Sequence, residues 1–204
     1  MSPARTAGAT AGSRREEARA TREALIAAGR ALFAARGYAA VGTEEIVRRA
    51  NVTRGALYHH FADKRDLFRA VHEGVEEELV AGIGERMTGV SDPWEVMVAG
   101  TRAFLDACGE PAVKQIVLTD APAVLGWSEW REIDERYGLG LMKAALGGAI
   151  DAGVLRPAPL DALSHLMLGA LSEAAFLIAN ASDPAATRTE TEEALLELLA
   201  GLRA

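Results

Sequence analysis

The stretch Thr43–Lys64, TEEIVRRANVTRGALYHHFADK, constrains this chain more than any other. It reads as two helices of about two turns each, a tight break between them, and the start of a third helix. Thr43 is placed to cap the first helix, and Glu44 and Glu45 favour its positive end. Ile46, Val47 and Ala50 give that helix one narrow apolar stripe. Asn51-Val52 breaks it, and Thr53 can cap a second helix running through Phe61. Two short helices joined so closely have the dimensions of a helix-turn-helix.

The second helix carries the chemistry. At about 100° per residue, Arg54, Gly55, Tyr58 and His59 share one arc, while Leu57 and Phe61 lean to the side where the first helix would pack. A guanidinium can read guanine or grip phosphate, and a glycine lets the backbone approach closely. A phenol and an imidazole add polar tips on flat bodies, so this arc suits a groove of nucleic acid. Lys64 adds a positive charge and a helix N-terminus, both useful at a phosphate. The competing reading is a helical hairpin that only packs against its neighbours.

The run T-x-x-I-x-x-x-A-x-V-T-R-G-A-L-Y-H-H-F-x-x-K-x-x-L, from Thr43 to Leu67, resembles the DNA-binding domain of the tetracycline-repressor (TetR) family. The likeness extends back over the preceding helix and covers the first third of the chain. It implies a homodimeric, ligand-responsive transcriptional regulator, a repressor released from double-stranded operator DNA by a small-molecule effector. By the same resemblance Thr43, Thr53 and Lys64 hold phosphates, and Arg54, Gly55, Tyr58 and His59 lie against the groove. Ala56 matches a family position involved in DNA contact, although it turns partly away and offers only an apolar contact, such as one to a thymine methyl. Arg48 and Arg49 are either phosphate contacts or solvated. An activator of the same family, a helical enzyme, and an adaptor whose basic head docks on an acidic protein are the alternatives.

Net charge would mislead if taken over the whole chain, which carries −7. Residues 1–70 hold 13 Arg and Lys against 7 Asp and Glu, whereas residues 71–204 hold 9 against 22. A basic first third on an acidic body fits a nucleic-acid face at one end only. The single Cys108 excludes an intramolecular disulfide framework and fits a reducing cytoplasm. No charge-free apolar run is long enough to span a membrane, and the N-terminus lacks the apolar segment of a secretory signal.

Along the chain, residues 1–15 read as a disordered basic arm, with Arg5, Arg14 and Arg15 either touching DNA or simply solvated. Residues 16–70 read as the DNA-binding unit, with Leu25, Leu32 and Phe33 on the apolar side of its first helix and Gly37 as the cap. Asp63 caps the next helix, and its stripe of Leu67, Phe68, Val71, Val75, Leu79 and Ile83 runs on to about Met87 as a rod shared with the body. Residues 71–204 read as the ligand-binding and dimerisation region. Asp92-Pro93 opens one helix, a short one covers 112–119 and ends near Pro122, and long ones cover 128–152, 161–180 and 185–202. The helix 161–180 is apolar nearly all round and must be covered on every side; in the resembled family the last two helices pair two subunits. No strand pattern occurs, so the fold class is all-α.

Catalytic residues do not emerge. His59-His60 with Asp63 superficially resembles a metal cluster, but adjacent helical residues point about 100° apart, and no metal or cofactor is expected. Gly138-Leu139-Gly140 has no strand before it and reads as helix flexibility or close packing rather than a phosphate loop. The resemblance implies an effector pocket inside the helical body. Trp94, Phe104, Trp127, Trp130, Tyr137, Met142 and Met167 are its candidate walls, although for each taken singly core packing is the better reading.

Overall fold

The computed structural model describes residues 11–204. It contains nine α-helices among them: α1 (Ala11–Arg36), α2 (Thr43–Arg49), α3 (Arg54–His60), α4 (Lys64–Met87), α5 (Pro93–Ala107), α6 (Ala121–Leu125), α7 (Trp127–Asp151), α8 (Leu160–Asn180) and α9 (Pro184–Ala200). A π-helical segment, Val113–Asp120, leads directly into α6. The one extended pairing among the described residues is a single bridge between Leu155 and Arg203, which ties the C-terminus to the α7–α8 connection.

Local chemistry explains most boundaries. Thr53 caps α3 by accepting from the Ala56 amide at 3.2 Å. Asp63 caps α4 through the Asp66 amide at 2.8 Å, while the Asp66 carboxylate accepts from the Ala62 amide at 3.0 Å. Asp92 accepts from the amides of Trp94 and Glu95 ahead of α5, and Pro93 occupies a position where no N–H is needed. Asn51 turns the chain between α2 and α3 with φ 55°, a conformation that Asn tolerates better than most residues.

Four expectations need correction. Thr43 does not cap α2: Gly42 holds the cap position without a side-chain bond, and Thr43 is already the first helical residue. Residues 11–15 are helical, because α1 starts at Ala11, so Arg14 and Arg15 sit exposed on a helix rather than on a loose arm. Residues 1–10, with Arg5, lie outside the described residues. The short helix expected over 112–119 is a wide-turned π segment, in which the Thr119 hydroxyl donates to the Lys114 carbonyl five residues back at 2.7 Å. Helical structure then continues past Pro122, which falls in the first turn of α6.

The head and the body share a core. Leu25, Phe33, Ile46, Leu57, Leu67 and Phe68 are buried around the helix-turn-helix, and the same apolar cluster continues through Ile116, Val117, Trp130 and Ile133 of the body. Phe33, Tyr38 and Phe68 meet at ring separations of 5.1–5.8 Å, closing the head on its α1–α4 side. The expected division at residue 70 therefore falls inside α4, which is one unbroken helix packed on α1 in its first part and on α5 and α7 beyond. Helix α8 is long and apolar enough to cross a bilayer, with a mean hydropathy of 1.6. Here it packs between α7 and α9, with Met167, Leu168, Leu171, Ala174, Ala175 and Ile178 buried.

Candidate nucleic-acid interface and effector cavity

Helix α3 divides its residues as the helical wheel requires. Leu57 is fully buried and Phe61, its cap, is 3% exposed, which fixes the helix against the head core. Arg54, Gly55, Tyr58 and His59 are exposed together on the opposite side, and Ala56 is half-buried at its edge. The Arg54 guanidinium lies 5.6 Å from the centre of the Tyr58 ring and 3.3 Å from Glu44 of α2, an exposed ion pair of little energetic weight that leaves the group free to exchange partners. Gly55 has open space around it: a side chain there would meet only the Thr53 hydroxyl, at 3.8 Å. Nothing inside the protein demands a glycine at that position.

Thr43 is half-buried at the start of α2, and Thr53 is exposed with its hydroxyl engaged at the α3 cap. Lys64 differs from its expected role. Its ammonium donates to the carbonyls of Tyr38 and Val41, both at 3.0 Å, and sits 3.8 Å from the centre of the Tyr38 ring. Burial lowers its pKa from the ordinary lysine value, with the nearby Asp120 acting in the opposite sense. Lys64 thereby ties the α1–α2 connection to α4 while its side chain stays half-buried.

A second set of contacts joins head to body. The Tyr38 amide donates to Asp120 at 2.7 Å, where the π segment ends. Gly37, at φ 76°, passes so close to this junction that a β-carbon would lie 3.0 Å from Gln115 and 3.5 Å from Asp120. Arg65 of α4 donates to the carbonyls of Val124 and Leu125 at 3.1 and 2.9 Å and pairs with Glu129 at 2.5 Å. The turn after α6 is thus held to the helix that follows α3.

Between α4, α5, α7 and α8 the body has a largely apolar, partly open cavity of about 90 Å³, with Leu199 of α9 at its edge. Of the expected walls, Phe104 and Met167 line it, joined by Met142. Trp127, Trp130 and Tyr137 do not, and neither does Trp94. Trp130 is 1% exposed and stacks between Trp127 and Phe176, at ring separations of 4.8 and 5.4 Å. Trp127 follows Gly126, whose φ of 83° breaks the chain ahead of α7, and it is 62% exposed. Tyr137 packs on the core shared with the head, and Trp94 lies under the Arg203 guanidinium at 4.5 Å. Position along α7 decides this: Asp134, Gly138, Leu141 and Ala145 face the cavity, and Trp127 and Trp130 lie at nearly the same phase but one to two turns nearer the N-terminus, beyond its end. Gly138 is a close-packing glycine, since a β-carbon there would stand 3.1 Å from Leu168.

Two polar residues of the cavity were not anticipated, Glu76 and Asp134. Asp134 accepts from Arg131 at 2.8 Å and from the Ser172 hydroxyl at 3.3 Å. Burial and, next, the Glu76 charge push its carboxyl up to about 7. The signal in the sequence was a carboxylate at an inward phase: Glu76 is followed at three and seven residues by Leu79 and Ile83, on one face of α4.

Comparison with known proteins agrees with this geometry. Residues 25–71 match the model for bacterial regulatory proteins of the tetR family, and residues 94–202 match the tetracyclin repressor-like C-terminal domain. The Transposon Tn10 TetC protein of Escherichia coli is 29% identical over 154 residues, 76% of this chain and 78% of that protein. A TetR-family transcriptional regulator from Pectobacterium atrosepticum has a solved structure that superposes with a TM-score of 0.84 at 37% identity, covering 93% of this chain and 97% of the other. RolR, solved in complex with resorcinol, shares the fold at a TM-score of 0.73 and 23% identity, over 91% of this chain and 90% of its own. With both halves matched, the chain belongs to the TetR family of DNA-binding transcriptional regulators.

Proposed function

We propose that this protein is a homodimeric repressor that occupies an operator through α3 and leaves it when a small molecule fills the body cavity. The observation that carries the reading is the one-sided exposure of α3, with Arg54, Gly55, Tyr58 and His59 displayed on a helix whose other face is locked into the core. Arg54 and Tyr58 meet base edges, His59 and Thr53 flank them, and Ala56 offers an apolar edge. Thr43 and the N-terminal amides of α4 face phosphates, with Lys64 setting the position of those amides. Residues 16–70 form the reading head and residues 71–204 the sensing and pairing body. The work belongs in the cytoplasm, where the operator is.

Pairing runs through α8 and α9. Leu166, Leu177 and Leu198 are 72%, 51% and 59% exposed, and these three account for most of the large exposed apolar side chains among the described residues. Such a surface on two adjacent helices is covered when a second copy brings the same surface to it. A repressor reading needs nothing further, because a dimer seated on promoter DNA blocks access by occupancy. A brucellar relative named as a repressor, BepR, is 46% identical over 55 residues.

The test is fluorescence anisotropy with DNA fragments from upstream of the protein's own gene. A dimer neutralising ~6–10 phosphates loses affinity by ~10³–10⁵-fold between 50 and 200 mM salt. A salt-insensitive complex would remove the DNA reading. The effector reading is separate and requires a coupling of about 1–3 kcal/mol between cavity and head. A saturating cavity ligand that leaves operator affinity unchanged would remove it alone.

A further inference from the structure

The cavity combines an apolar wall with two carboxylates and no cationic side chain. Its polar lining residues are Glu76, Thr101 and Asp134; neither Lys, Arg nor His lines it. Glu76 is 3% exposed, and the polar group facing it is His72 of the same helix. Its Oε1 lies 3.4 Å from His72 Nε2, but that fully buried ring has no aligned hydrogen bond at either nitrogen. A carboxylate taken out of water without donors is costly, and the cost is relieved when a cation or a set of N–H donors arrives.

Resting on the effector reading, we propose that the cavity takes a small apolar molecule bearing a single ammonium group, held between Glu76 and Asp134. The arrangement of charge selects the head group. Arg131 faces Asp134 from the same helix and also pairs with Glu135 at 3.1 Å, so one guanidinium serves two carboxylates. Ser172 of α8 gives Asp134 a hydroxyl and α5 contributes only the neutral Thr101, so Glu76 of α4 has only the poorly aligned His72 ring beside it. An ammonium supplies the missing positive charge and three donors. A carboxylate or phosphate would add a third anion to an apolar enclosure and is excluded. The walls select the body: Phe104, Leu141, Met142, Met167 and Leu171 favour a compact apolar group.

Cation entry also has a proton signature. The Asp134 carboxyl, raised by burial and by Glu76 and lowered by Arg131 and Ser172, holds a proton up to about 7, with Glu135 adding a smaller upward effect. A bound ammonium favours the ionised form, so binding releases a proton near neutral pH.

The test is calorimetry on the full chain without DNA, using four matched probes: cyclohexylamine, cyclohexanol, methylcyclohexane and cyclohexanecarboxylate. The amine binds at least ~10-fold more tightly than the alcohol, as a charged hydrogen bond is worth about 1.4 kcal/mol more than a neutral one. The carboxylate does not bind, and the heat with the amine varies with the ionisation enthalpy of the buffer. Glu76→Gln and Asp134→Asn each erase the preference of amine over alcohol, while methylcyclohexane binds as before and shows that the cavity is intact. An alcohol or carboxylate that matches the amine, variants that keep the preference, or no binding by any probe would overturn the proposal. Because no DNA is present, these results judge the ligand class apart from operator release.

Discussion

The two ends of α4 belong to regions that display function in opposite ways. At its N-terminal end the head carries its working residues on the outside, where Arg54, Gly55, Tyr58 and His59 have no packing duty. At its C-terminal end the body hides its working volume among residues such as Phe104 and Met167, which look like any other core side chain. A surface that reads DNA needs polar groups at fixed helical spacing, and spacing is a property of sequence. A cavity is a gap between four helices, and only their relative phase creates it.

This difference makes Trp130 the sharpest point of comparison within the body. As core rather than cavity wall, Trp130→Ala should destabilise the protein by about 3–5 kcal/mol in denaturant unfolding. It should leave cavity ligands binding normally to the fraction that remains folded. A variant that is nearly as stable as the parent but loses ligand would return Trp130 to the cavity wall.

In the head, Arg54→Ala should cost about 1–3 kcal/mol on the preferred operator, with unchanged thermal stability, because its partners Glu44 and Tyr58 are exposed. Equal weakening on every DNA sequence would assign Arg54 to the phosphate backbone.

The body's buried carboxyl gives a smaller, pH-dependent effect. The folded pKa of Asp134 is raised to about 7 from 3.8, so its favourable contribution is complete below the unfolded value and is lost as pH rises through the folded one. Asparagine does not ionise. Asp134→Asn should therefore melt higher than the parent above neutral pH, by at least ~1 kcal/mol or roughly 2–4 °C, with the advantage shrinking towards pH ~4. An advantage that grows in acid would contradict this assignment.

Gly55 separates stability from function most cleanly. Since a β-carbon there meets open space, Gly55→Ala should stabilise α3 by about 0.5–1 kcal/mol while weakening operator binding through lost close approach. Both quantities can be measured on one preparation by thermal melting and anisotropy. If binding improves along with stability, the backbone at Gly55 does not approach DNA.

Much of the architecture was legible because its causes are local. Thr53, Asp63 and Asp92 each cap the helix their position announced, and the α4 stripe from Leu67 to Ile83 is inward throughout. Thr43 misled because Gly42, with extended backbone, takes the cap position one residue earlier. The π segment was not visible, since its widened turns answer to packing against α1 and α4 and to the Thr119–Lys114 bond rather than to a periodic pattern. Lys64 could not be placed from sequence, as its partners are carbonyls 26 and 23 residues away. The tryptophans suggest a pocket because their large apolar rings suit one, yet Trp130 is core where head and body join and Trp127 is exposed. Glu76 and Asp134 do not announce their place at the cavity, because burial is not written in residue type.

The contacts between the regions supply the route by which the cavity could act on the head. Asp120 with the Tyr38 amide, and Arg65 with Val124, Leu125 and Glu129, bind the π segment and α6 to the head side of α4. Glu76 and Ile83 of the same α4 line the cavity, so one rigid helix borders both sites.

The central claim is that the exposed face of α3 reads a DNA sequence. The most direct measurement titrates the full chain against its upstream fragment and against a scrambled fragment of equal length and composition, at one physiological salt concentration. The account predicts at least ~10³-fold tighter binding to the upstream fragment. Equal affinity for the two would contradict it.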